Sequence, residues 1–224
     1  MKSVCYTNIE NEEAFYRSRI KYFKYIYSVL SKYSNNVLNW LDFGCSYGHF
    51  LEFLHDQKID CEGVEIAECV RRYAQKKGLI VYKDIKDLPE KKYDVVSLID
   101  TLYLVNEPVS LIKEIYNITN DNGLLLLRIT NRNWLAKIRK RLLKKDLVFC
   151  LGDATVSFSK KSISYLLENN GYKILKITSH EKGKVMNLKV KAFYTLSWLL
   201  NMVTIGLINI SPGLIIIAKK MRYV

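Results

Sequence analysis

A chain of 224 residues, 49% hydrophobic and 25% charged, has the make-up of one ordinary globular domain and argues against a disordered or low-complexity polymer. The net charge of +13 favours anionic partners such as nucleic acid, phospholipid or phosphorylated metabolites, beside the plain reading of a lysine-rich soluble surface. The five cysteines, Cys5, Cys45, Cys61, Cys69 and Cys150, are irregularly spaced without a C-x-x-C, which argues against a disulfide framework or a metal site and fits a reducing compartment.

The first residues lack an apolar signal core, so a cytoplasmic chain is expected. Residues 11–33 read as a helix that opens on acids, which suit a helix N-terminus, and carries Phe15, Tyr22, Phe23, Ile26 and Leu30 along its face. We take 1–36 as a helical preface and 37–224 as a single domain.

Strand and helix then alternate. "VLNWLDF" is a strand, followed by a glycine turn and a helix from about His49 to Gln57. "DCEGVEI" is a second strand, and a helix over about Ala67 to Lys77 stops at Gly78. "LIVYKD" and "YDVVSLID" are the third and fourth strands, and "PVSLIKEIYNIT" is a helix closed by Asn122-Gly123. "LLLLRIT" is the fifth strand. "SKKSISYLLENNGYKILKIT" is a helix N-capped by Ser159, then the sixth strand. "GLIIIAKK" comes last, and a hairpin-like or amphipathic connection joins it to the sixth strand, so that pair is expected antiparallel. The pattern predicts an α/β fold: a seven-stranded, mostly parallel sheet, helices on both faces and an antiparallel last strand.

The stretch "LNWLDFGCSYGHFLEFL" runs from a strand through a glycine turn into a helix. Glycines permit positive φ and close approach of a ligand, and the N–H groups of a helix start favour a carboxylate or phosphate. A dinucleotide fingerprint needs G-x-G-x-x-G, and Gly44-Cys45-Ser46-Tyr47-Gly48 fails that spacing. An acid, Glu65, ends the second strand, where it can accept bonds from both ribose hydroxyls of an adenosine ligand.

With these motifs the chain resembles the class I S-adenosylmethionine-dependent methyltransferases, over about residues 37–220. "DFGCSYG" is similar to the family's acid-x-G-x-G-x-G, with Ser46 at the middle glycine. "GVEI", "VYKDIKDLP", "YDVVSLIDTLYLVNEP" and "NGLLLLRITN" match later motifs in order. The resemblance implies S-adenosyl-L-methionine as cofactor. Asp42, Gly44, Ser46 and Gly48 would shape the pocket for its methionine portion. Glu65 would bind the ribose, with Ile66 an apolar wall, and Asp84 and Ile85 would flank the adenine. Asp100 and Leu102 would lie near the sulfonium and the acceptor.

Holding a nucleophile in line with an activated methyl can supply roughly 7–11 kcal/mol, and a base helps a hydroxyl acceptor by about 10²–10⁴-fold. Where relatives often carry Glu-His, this chain has Tyr103-Leu104. Candidate bases are Asp100, Tyr103 and His49, the last also readable as a first-turn surface residue. His55 and His180 read as structural.

Two further segments stand out. Residues 133–146, "NWLAKIRKRLLKKD", form a basic amphipathic helix on paper, fit for an anionic membrane or substrate. Residues 192–218 carry no charge but are broken by Pro212-Gly213 and punctuated by polar residues. We read 192–210 as a helix that serves as core, lid or membrane contact rather than a span. The expected activity is methyl transfer to an oxygen of a small, anionic or lipid- or sugar-linked metabolite, with a peripheral contact to anionic membrane. An RNA methyltransferase ranks second, with nucleic acid the less favoured partner, because no RNA-binding module or N/D-P-P-Y-type motif is present. A non-catalytic cofactor-binding or membrane-docking protein is the remaining alternative.

Overall fold

The computed structural model describes residues 12–34, 37–130, 155–178, 195–196, 199, 203 and 213–222. Its elements are α1 (Glu12–Leu30), β1 (Asn39–Phe43), α2 (His49–Asp56), β2 (Asp60–Val64), α3 (Glu68–Lys76), β3 (Val81–Tyr82), β4 (Tyr93–Ile99), α4 (Pro108–Ile118), β5 (Thr119–Thr130), α5 (Lys160–Glu168), β6 (Tyr172–Thr178) and β7 (Gly213–Lys220). The strands form one sheet in the order β3-β2-β1-β4-β5-β7-β6. β1 pairs in parallel with β2 and β4, and β4 with β5, while β7 is antiparallel to both β5 and β6. The expected architecture is the observed one.

A strand covered on both faces must be apolar at odd and even positions alike, and "LLLLRIT" is. Leu125, Leu127 and Ile129 pack with Ile112 and Ile115 of α4 and Ile163 and Leu167 of α5. Leu124 and Leu126 turn the other way, toward Tyr22, Phe23, Ile26 and Leu30 of α1 and Phe50 and Phe53 of α2. Those α1 residues share one helical face because they fall near the 3.6-residue period. Phe23 meets Phe50 at 5.2 Å between ring centroids, and Phe50 stands edge-on to Trp40 at 5.5 Å. Burial of each such side chain stabilises by roughly 1.5–3 kcal/mol.

Several boundaries differ from the sequence reading. The fourth helix ends at Ile118 rather than at Asn122-Gly123, because Thr119 already pairs with Tyr93. The register then shifts, and Val95 faces Leu124. Asn122, with φ 65°, belongs to that irregularity. The third strand shortens to two residues, and Asp84 instead caps a 3-10 turn over Ile85–Asp87. The expectation against disulfides is corrected at Cys69, which is disulfide-bonded. Spacing along a chain does not reveal which remote cysteines meet. Cys45 and Cys61 are free thiols.

Segment 133–146 lies outside the described residues, as does most of 192–210. Thr195, Leu196, Leu199 and Val203 are helical and exposed. No helix among the described residues is long and apolar enough to cross a membrane.

The N-cap of α5 is the one anticipated. Ser159 Oγ accepts from the Ser162 N–H at 3.1 Å, and Ser162 Oγ accepts from the Ser159 N–H at 2.9 Å. Ser159→Ala should cost about 1 kcal/mol, read as a fall in melting temperature of about 2–4 °C; an unchanged melting curve would show that the cap contributes nothing.

Candidate functional site

The carboxyl end of β1 and the amino end of α2 enclose the glycine turn. Gly44 and Gly48 both have φ +80° and Ser46 has φ 52°, three left-handed residues within five. At Gly44 no side chain fits: a Cβ would lie 2.3 Å from Thr101 Oγ1. The turn is tied to the next strand by the N–H groups of Gly44 and Cys45, which donate to Val64 O at 2.7 and 3.1 Å.

Glu65, one residue past β2, closes the turn. Its Oε2 accepts from the Ser46 N–H at 3.0 Å and its Oε1 from the Ala67 N–H at 2.8 Å. Arg71 Nη1 donates to the carbonyl oxygens of Glu65 and Ile66 at 2.8 and 3.1 Å. A carboxylate offers about four lone-pair sites, so two bonds to backbone leave capacity for two hydroxyl donors. Ile66 beside it is 72% exposed, an apolar surface for a flat ring. Asp84 and Ile85 lie beyond β3. Asp84 is exposed and binds the Lys86 N–H at 3.0 Å, and Ile85 is half-buried against the core.

Asp42 sits under the turn, 3% exposed. It shares the α1–α2 face of the sheet with Trp40. Ser97, its register partner on β4, donates to Asp42 Oδ1 at 2.5 Å and accepts from Trp40 Nε1 at 2.8 Å. Burial pushes the Asp42 carboxyl up to about 7; the Ser97 bond opposes that rise and the Glu65 carboxylate adds to it. Cys45 is buried too, and burial raises its thiol, which leaves it a packing group against Leu51 and Ala74.

On the other side of Gly44, at the carboxyl ends of β4 and β5, Asp100 takes φ 61°. Its N–H donates to Arg128 O at 2.9 Å. Its Oδ1 is the partner of Arg128 Nη1 and also accepts from the Tyr103 hydroxyl at 3.2 Å. Arg128 is 4% exposed in the middle of an apolar strand, and Asp100 compensates its charge there. Leu102, expected near the sulfonium, is fully buried in the core on the α4–α5 face.

His49 corrects the surface reading. It is 6% exposed, with the rings of Tyr16 and Tyr47 at 5.7 and 6.0 Å. The helix N-terminus is covered by α1, which a local pattern does not show.

The structure brings the turn residues, Glu65 and Asp100 to one edge of the sheet, where open parallel sheets bind ligands. A family model described as a methyltransferase domain matches residues 15–177. The chain belongs to that family. It is a class I, Rossmann-like methyltransferase that uses S-adenosylmethionine. Solved structures agree on the fold. The plantazolicin methyltransferase BpumL, in complex with a triazolic desmethylPZN analog and S-adenosylhomocysteine, is 18% identical with a TM-score of 0.63, over 96% of this chain and 89% of that one. An S-adenosylmethionine-dependent methyltransferase from Clostridium acetobutylicum is 13% identical, TM-score 0.63, over 96% and 100%. One from Archaeoglobus fulgidus is 19% identical, TM-score 0.59, over 92% and 99%. No functionally curated protein matches the chain.

Three residues of the candidate site escaped the sequence reading: Ser97, Thr101 and Arg128. An arginine inside "LLLLRIT" was a visible signal. Ser97 and Thr101 carried none, because their roles exist only across the sheet.

Proposed function

We propose that the chain moves the methyl group of S-adenosylmethionine to an oxygen of a small acceptor that is anionic, lipid-linked or sugar-linked. The observation that supports this reading is the adjacency of two half-sites. The Glu65-anchored turn suits the adenosine and methionine parts of the cofactor. Asp100, Tyr103 and Arg128 stand across the Gly44–Thr101 contact, where an acceptor would meet the methyl. In this reading Glu65 orients the ribose, Ile66 covers the adenine, with Asp84 and Ile85 beside it, and the N–H groups of the turn receive the carboxylate. The cofactor supplies the activated methyl, and the chain supplies alignment. The exposed Leu196, Leu199 and Val203, on one face of a helix by their spacing, favour an acceptor with a lipid portion or a nearby membrane surface.

The test is a calorimetric titration of the full chain with S-adenosylhomocysteine, with NADH as control. Saturable one-to-one binding of the first and none of the second is expected. Binding of NADH in preference would overturn the assignment. A deuteromethyl cofactor would then label the acceptor in lipid, sugar and RNA fractions, and label confined to RNA would overturn the acceptor class.

A further inference from the structure

Glu65 stands one residue beyond the end of β2, where the sheet still holds its N–H but not its carbonyl. The N–H donates to Tyr82 O of β3 at 2.9 Å. The carbonyl oxygen accepts from Arg71 Nη1 at 2.8 Å, and that of Ile66 accepts from the same nitrogen at 3.1 Å. In an extended strand consecutive carbonyls point to opposite sides, so one nitrogen does not reach both. A nitrogen that serves both fixes the bend by which the chain leaves β2 for α3.

The place of Arg71 in the sequence makes this possible. It is the fourth residue of α3, and its own N–H donates to Ala67 O at 2.9 Å. Helical side chains lean back toward the N-terminus, so a long one here reaches the residues just ahead of the helix. A guanidinium has five N–H donors, two of them on Nη1, one for each oxygen. Bonds from a charged donor are roughly twice as strong as neutral ones. The Glu65 carboxylate hangs from the bend that these bonds hold, with Oε2 on the Ser46 N–H at 3.0 Å and Oε1 on the Ala67 N–H at 2.8 Å. A rotation of the 65–66 peptide would move that carboxylate relative to the glycine turn.

Resting on the reading of Glu65 as the ribose ligand, we propose that Arg71 is a positioning residue of the cofactor site: by clamping the carbonyls of Glu65 and Ile66 it aims the Glu65 carboxylate at the two ribose hydroxyls. It touches no reacting atom. Its effect is therefore specific to ligands that carry those hydroxyls.

The probes are S-adenosylhomocysteine and its 2′,3′-dideoxy analogue, which lacks both hydroxyls, titrated calorimetrically into the full chain. Melting temperature serves as the check of folding. The wild type should prefer the hydroxylated ligand at least about tenfold, because its hydroxyls donate charge-assisted bonds to a carboxylate. Arg71→Met keeps the alkyl stem and removes the donors. It should cut that preference at least about threefold by weakening the hydroxylated ligand and sparing the dideoxy one, as coupling between neighbouring groups requires. Arg71→Lys, with three donors on one nitrogen, should restore part of it. Should the methionine variant fold poorly, Arg71→Gln, neutral and shorter, is held to the same threshold. A merely structural role would weaken both ligands alike, so an undiminished preference overturns the proposal and leaves Glu65 in its place. Glu65→Ala separates the two readings, since it should abolish the preference. Equal binding of the probes by the wild type, or a preference that survives Glu65→Ala, strikes the ribose reading and the proposal with it.

Discussion

Glu65→Ala should weaken S-adenosylhomocysteine binding by about 10²-fold, the loss of charge-assisted hydrogen bonds together worth about 1.5–3 kcal/mol. In the proposed reading the carboxylate has two tasks. It accepts the N–H groups of Ser46 and Ala67, which keeps the left-handed Ser46 in place, and it retains lone pairs for the ribose hydroxyls. Alanine removes both. Ser46 is exposed, so water can satisfy its released N–H, and the fold should survive with little loss of melting temperature. Glu65→Gln keeps one acceptor oxygen and should fall between alanine and wild type. Wild-type affinity in both variants, measured by calorimetry, would remove Glu65 from the cofactor site.

Asp42→Asn should flatten the pH dependence of stability. The folded-state carboxyl, raised to about 7 from an ordinary 3.8, keeps a proton that the unfolded chain has lost between those values. Stability is then fully present below about pH 4, falls as pH rises toward 7, and stays lower above it. Each tenfold difference in proton affinity between the folded and unfolded chain is worth about 1.4 kcal/mol, so the loss is on the order of 4 kcal/mol. Asparagine can still accept from Ser97 and never ionises, so the variant should gain on the wild type as pH rises from about 4.5 to about 7.5. Urea unfolding at several pH values reads the difference directly. Parallel curves for the two proteins would mean that Asp42 is ionised at low cost in the fold. Cofactor affinity should share the trend, because the buried charge lies under the turn proposed to bind it.

Much of this architecture was legible in the residues. Strands covered on both faces are apolar on both, as "GLIIIA" is and "LLLLRIT" is but for Arg128 and Thr130, and that separates a fully covered sheet from a half-exposed one. Glycines at 44 and 48 with an acid at 65 located the turn, because left-handed backbone and a ligand-facing carboxylate both depend on residue type. The antiparallel β7 was expected from the hairpin-like or amphipathic stretch of sequence that precedes it.

Other features belonged to the tertiary structure alone. Whether Asp42 meets a ligand or supports the turn depends on Ser97, its register partner 55 residues away. Whether His49 is open or covered depends on the docking of α1. Leu102 reads as a site residue beside Asp100, but the 3-10 turn directs it into the core. The grouping of Asp100, Tyr103 and Arg128 joins the ends of two strands. Sequence by itself determined the elements, their order and the glycine turn, since those are written in local periodicity and in residue types that only certain backbones accept. Tertiary structure decided which polar groups face one another, because pairing and burial arise between segments that have no common pattern along the chain.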